Sequence, residues 1–144
     1  MQQNNFLNNA FLHHLSIQCS DPKSLSSFYS ETLGMKSKQI HHQEKTKWLC
    51  FGNDRRIIFS PGKKKNLDFA AFSLKDENSL MNFKNILINN KVSISEYETP
   101  FFMKGSFGVK DPDNNLIIFG ISEINKGIAL SSTYSDHIYG PLQH

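Results

Sequence analysis

The chain has 144 residues, of which 38% are hydrophobic and 12% aromatic, and a formal net charge of +3. That length lets one domain bury a core without disulfide or metal staples, and so mild a charge, with no basic helix or aromatic-plus-basic stripe, argues against nucleic acid as a partner. No apolar run reaches the roughly 20 residues of a membrane span, and the Asn-rich start MQQNNFLNNA lacks the basic and apolar regions of a signal peptide, so a cytoplasmic protein with a flexible segment over 1–10 is expected.

Residues 12–19 alternate as a strand does, with His14, Ser16 and Gln18 on one face and Leu15, Ile17 and Cys19 on the other. Asp21 then serves as an N-cap, Pro22 suits the first helical position and Gly34 the stop. Leu25, Phe28, Tyr29 and Leu33 recur between them at helical spacing and predict one apolar stripe. Strands are expected over 37–42, 45–51 and 55–60, with Gly52-Asn53-Asp54 as the last turn. Cys19 and Cys50 lie in apolar strand-like runs without C-x-x-C spacing and read as reduced core thiols. Lys63-Lys64-Lys65, after Pro61-Gly62, reads as a solvated turn.

The pattern then repeats. At a shift of 55 residues Leu12 falls on Leu67, Asp21 on Asp76, Ser24-Leu25 on Ser79-Leu80 and Phe28 on Phe83. Strands over 92–98, 105–110 and 116–121 follow, with 111–115 as a turn, and RRIIFS and NLIIFG share Ile-Ile-Phe at a shift of 60. Each half therefore reads β-α-β-β-β, and a repeat of this kind implies a duplicated unit whose apolar face is buried against its copy. The predicted fold class is α+β, with modules over about 11–62 and 66–122 and a polar tail or linker over 123–144.

His14 followed by Asp21-Pro22 and FYSETLGM resembles the opening of vicinal-oxygen-chelate proteins, and FGVKDPDNNLIIFG resembles their closing hairpin. Asn115 matches the usual D-P-D-G-N, while Asn114 replaces its glycine, a change a left-handed turn position tolerates. The superfamily includes glyoxalase I, extradiol ring-cleaving dioxygenases and bleomycin-resistance proteins. The resemblance implies one cupped mixed sheet with helices on its outer face, and in the enzymes a divalent metal (Fe, Mn, Ni or Zn) held in the cup. Its ligands are histidines on the first strands of the modules and carboxylates on the last. Carried over, these positions are His14, Phe69, Ile58 and Ile118. Three of them have no lone pair to offer, so a degenerate metal site is expected, with His14 its one remaining ligand position and no cofactor bound. Alternation points His13 to the opposite face unless the strand starts with a bulge.

The inner face then offers His14, Ser16, Gln18, Arg56, Phe69 and Ile118 to a small aromatic or apolar molecule, with Trp48, Phe101, Phe102 and Met103 walling one end. Arg56, the one permanent charge expected there, pairs with a ligand anion or reaches water. No nucleophile constellation is visible, and no Asp or Glu is expected beside His14 to orient it. The closing PLQH resembles FLHH, with His144 in the place of His14. Extradiol dioxygenases built from two double-module domains have an N-terminal domain without metal ligands, and the resemblance implies such a half, followed by a second dioxygenase-like domain. The alternatives are a metal-dependent dioxygenase or glyoxalase-like enzyme completed by a partner, or a drug-sequestering protein of the bleomycin-resistance kind. The last needs an acidic groove, which the basic balance and Arg56 argue against. A homodimer is also compatible with the family.

Overall fold

The computed structural model describes residues 10–63 and 66–123; the expected N-terminal segment and nearly all of the tail, with His144, lie outside the described residues. The first module runs β1 (Ala10–Cys19), α1 (Pro22–Ser27), a π-helical turn (Phe28–Thr32), β2 (Lys36–His42), β3 (Lys45–Gly52) and β4 (Arg55–Pro61). The second runs β5 (Asn66–Leu74), α2 (Glu77–Asn89), β6 (Ser95–Glu96), β7 (Phe107–Lys110) and β8 (Leu116–Gly120). All strands form one eight-stranded sheet, in the order β2-β3-β4-β1-β5-β8-β7-β6. The α+β class and the repeated module are as the sequence indicates.

In each module the first strand runs parallel to the last, β1 with β4 and β5 with β8, while the modules meet through the antiparallel pair β1·β5. Leu15 stands opposite Ala70, with Ser16 opposite Phe69 and His14 opposite Ala71 on either side. The 55-residue shift exchanges these flanking pairs, so the local two-fold of the duplication passes through the Leu15–Ala70 pair. The ladder carries two irregularities. Between Leu12↔Phe72 and His14↔Ala71 one residue, His13, is extra, and between Ser16↔Phe69 and Ile17↔Leu67 the extra residue is Asp68. His13 and Asp68 occupy equivalent places in the repeat. At a bulge two consecutive residues oppose one partner, so neighbours that would point apart are turned toward the same face.

Both helices pack on one face of the sheet. Leu25 of α1 and Tyr29 of the π turn pack with Cys19, Trp48, Cys50 and Phe59 of the sheet; Leu80 and Phe83 of α2 pack with Leu74, Phe107 and Phe119. The aspartates start both helices as expected, Asp21 Oδ1 accepting from the Ser24 N–H at 3.1 Å and Asp76 Oδ1 from the Ser79 N–H at 2.8 Å. Cys19 and Cys50 are free and buried, and burial pushes the Cys50 thiol pKa up. Asn114 adopts φ +69°, the left-handed turn conformation expected where the family has glycine.

Two expectations are corrected here. The first helix does not stay α-helical to Gly34: at Phe28 it widens into the π turn, where the Leu33 N–H bonds to the Phe28 carbonyl. The wider turn rotates the stripe off register. Leu25 and Tyr29 reach the core, whereas Phe28 is 50% and Leu33 56% exposed. Trp48 alternates with Lys47 and Leu49 and so joins Cys50 on the helix side rather than the opposite face. Among the described residues no helix is long and apolar enough to cross a membrane.

Candidate functional site

The face opposite the helices is built by alternate residues of the central strands. Leu49 and Phe51 from β3, Ile58 from β4, Phe69 and Ala71 from β5 and Ile118 from β8 form one buried cluster. This places the four repeat-equivalent positions, His14, Ile58, Phe69 and Ile118, on one surface. Each is buried, with His14 1% exposed and Phe69 7%.

The bulge corrects the placement of His13, whose side chain is turned to this same face and is 2% exposed. Its Nδ1 lies 2.9 Å from Nδ1 of His14, and its Nε2 lies 3.0 Å from the Ser122 hydroxyl. One proton between the two Nδ1 atoms makes this a hydrogen bond, with one ring donating and the other accepting. His14 Nε2 is buried with no hydrogen-bond partner among the described residues. Its surroundings are aromatic: Phe69 lies 5.7 Å away edge-on, and Phe101 and Phe102 each lie at 4.9 Å between ring centroids. An aromatic face receives an N–H edge weakly, and burial, then His13, then Arg56 all lower the His14 pKa well below its ordinary value.

Phe101 and Phe102 reach the histidines because their segment is pinned to the end of the second module. Met103 N–H donates to the Ile121 carbonyl at 2.8 Å and Glu123 N–H to that of Phe101 at 2.9 Å, while Phe102 bridges Ser122. Phe102 lies directly against Gly120, where a Cβ has no room beside its ring. These two phenylalanines therefore close the inner face over the histidine pair instead of walling an opening.

Arg56 neither reaches water nor stands ready for a ligand. It is 4% exposed, and its guanidinium bonds to the Asp54 carboxylate at 3.3 Å and to the His13 carbonyl at 3.2 Å. That carbonyl belongs to the bulged residue, which the ladder leaves over. Asp54 is held close by the turn, where Asn53 and Asp54 both have positive φ, as a two-residue hairpin of this kind requires.

The other end of this face is polar, and the sequence reading missed half of it. The Ser16 hydroxyl donates to Asp68 Oδ2 at 3.2 Å. Lys47, 7% exposed, shares its side of β3 with Leu49 and Phe51, and burial lowers its pKa against the opposing pull of Asp68. Ser60 is 4% exposed and its hydroxyl has no partner among the described residues. Gln18 lies over Gly62, which has no space for a side chain beneath it. Lys47 was detectable by extending the alternation to β3. Asp68, the counterpart of His13 in the repeat, was hidden by the same kind of bulge.

A metal needs several donors converging on one point. Among the described residues no three His, Cys, Asp or Glu side chains come together in that way. Around His14 the equivalent positions present hydrocarbon, so the donor set does not fit the divalent metal that the family resemblance implies.

Comparison with known proteins fixes the family. The profile of the glyoxalase/bleomycin resistance protein/dioxygenase superfamily matches residues 11–119. The chain belongs to this superfamily. Among solved structures it is similar to the 2,3-dioxygenase LapB from Pseudomonas sp. KL28, with a TM-score of 0.68 at 16% identity over 86% of this chain and 44% of that one. It is also similar to the hypothetical protein BH1468 from Bacillus halodurans C-125, with a TM-score of 0.60 at 14% identity over 79% of this chain and 95% of that one. Methylmalonyl-CoA epimerase from Mycobacterium tuberculosis gives a TM-score of 0.59 at 16% identity over 78% and 88%. No curated protein sequence matches the chain. At these identities the superfamily member shares a fold with each neighbour and nothing finer, and it spans less than half the length of the dioxygenases.

Proposed function

We propose that this superfamily member is a metal-free, non-catalytic module, the counterpart of one half of an extradiol-dioxygenase-like protein. One observation carries the reading: the places where the family puts its other ligands hold Ile58, Phe69 and Ile118, packed in the cluster that Phe101 and Phe102 complete over His14. The His13–His14 pair brings two imidazoles together with no third His, Cys, Asp or Glu among the described residues, too few donors to hold Fe, Mn, Ni or Zn tightly. The length relation supports the half-protein part, since the chain covers 40% and 44% of two dioxygenases but 95% of the shorter BH1468.

Metal analysis of the full chain purified without chelators tests the first part. The expected result is far less than one equivalent of any of the four metals and no turnover of catechols. One tightly bound equivalent per chain overturns it. The half-protein part expects a second double-module segment, continuous with this chain or encoded beside it, in which the His, His and Glu positions are filled. A reading frame that ends at His144 with no such segment nearby removes that part and leaves the first standing.

A further inference from the structure

We propose that the polar end of the inner face, where Lys47, Ser60 and Gln18 stand abreast on β3, β4 and β1, binds a small organic monocarboxylate. The strand register sets the row. Gln18 pairs with Ser60 in the β1·β4 ladder, and Lys47 stands beside Ser60, one step beyond the Trp48–Phe59 pair. The three lie at the end of the sheet where β5 begins with exposed Asn66 and Leu67.

Two features of this row ask for an anion. Lys47 is more than nine-tenths buried, yet its ammonium has no carboxylate within ion-pair distance among the described residues, where the single ion pair is Arg56–Asp54. A buried ammonium with no carboxylate in contact, and only the charge of Asp68 beyond ion-pair distance, costs free energy that an anion in direct contact recovers. Beside it the buried Ser60 hydroxyl has a proton to donate and no acceptor. The lowered Lys47 pKa is the same imbalance seen in protonation.

The charge count narrows the class. Asp68 is close enough to act on Lys47, and its Oδ2 already accepts from Ser16. Lys47 and Asp68 together already sum to zero charge, so the row takes at most one further delocalised negative charge, in direct contact with the ammonium, and not a phosphate dianion. A carboxylate takes two donors at once, here Nζ of Lys47 and Oγ of Ser60. Apolar Leu49 and Ile58 lie one layer deeper on the same strands, buried in the inner-face cluster. The inference is independent of the metal question, since His14 takes no part in it.

The test titrates the isotopically labelled full chain with sodium benzoate, with benzamide and inorganic phosphate as comparison probes. Expected are saturable amide shifts at Gln18, Lys47 and Ser60 with a Kd of about 1 mM or a few-fold weaker, and a rise in the Lys47 pKa followed at its ε-carbon. Lys47→Met, which keeps the stem and drops the charge, abolishes the shifts; Ser60→Ala weakens binding several-fold; Asp68→Asn tightens it by removing the competing anion. Should Lys47→Met fail to fold, the opposite responses of the Ser60 and Asp68 variants decide the matter. Absence of saturable shifts, or shifts that persist in folded Lys47→Met, overturns the site. Equal binding of benzamide or phosphate overturns the monocarboxylate assignment.

Discussion

The guanidinium of Arg56 neutralises the buried Asp54 carboxylate and donates to the carbonyl of the bulged His13. Arg56→Met removes both contacts at once. Breaking one side of a buried pair costs about 3–5 kcal/mol, so the urea midpoint should drop far more than for Arg55→Met on the exposed side of the same strand. Equal losses contradict the assignment. His14 gives a pH signature. Its folded pKa lies below the unfolded value of about 6.5, so below that pH the unfolded chain binds more protons than the folded one. The contribution to stability is therefore complete above about pH 6.5 and is lost as pH falls toward the folded value. Denaturation midpoints should decline as pH falls below about 6.5, and His14→Met should flatten part of that slope. An unchanged slope in the variant assigns the decline to other groups.

At the scale of elements, the two first helices of the repeat make the clearest comparison. Phe28 and Phe83 are equivalent in sequence, but the π turn leaves Phe28 half exposed while Phe83 is 4% exposed, with its ring 4.6 Å from that of Phe119. Phe83→Ala should cost about 3–5 kcal/mol, whereas Phe28→Ser should stay within about 0.5 kcal/mol, both read from chemical denaturation. The segment that closes the inner face has its own weak point. Gly120→Ala forces a Cβ against the Phe102 ring and should cost about 1–3 kcal/mol. Pairing it with Phe102→Leu should recover part of that loss in a double-mutant cycle. Most strand positions, both N-caps and the duplication were legible because they rest on period, turn chemistry and capping, which are local, whereas the strand expected over 92–98 is only the two residues Ser95–Glu96. The inner-face positions of Ser16, Phe69 and Ile118 followed from the same alternation. What the sequence hid depends on hydrogen-bond count: one wider turn moved Phe28 and Leu33 outward, and one extra residue brought His13 to the inner face. Trp48 was misplaced for a different reason, since the alternation that assigns it was not applied to β3.

For the whole molecule, the duplication supplies a symmetric frame on which the two halves carry different chemistry. One end of the inner face is sealed by histidine and phenylalanine, while the other gathers Lys47, Asp68, Ser16 and Ser60. Metal content separates this account from an enzymatic one. A protein that holds no stoichiometric metal should keep its denaturation midpoint unchanged on dialysis against a chelator, whereas a resident metal contributes to stability by linkage. A midpoint that falls on chelation and recovers with one added equivalent contradicts the metal-free reading. The paired irregularity at His13 and Asp68 bears on descent. Because the extra residue sits at the same step in both copies, a single unit that already carried it accounts for both after one doubling. Each descendant inherited two adjacent side chains aimed at the shared interior. Later divergence needed no change of backbone: one copy filled its two places with a histidine pair, the other with an acid and a phenyl ring.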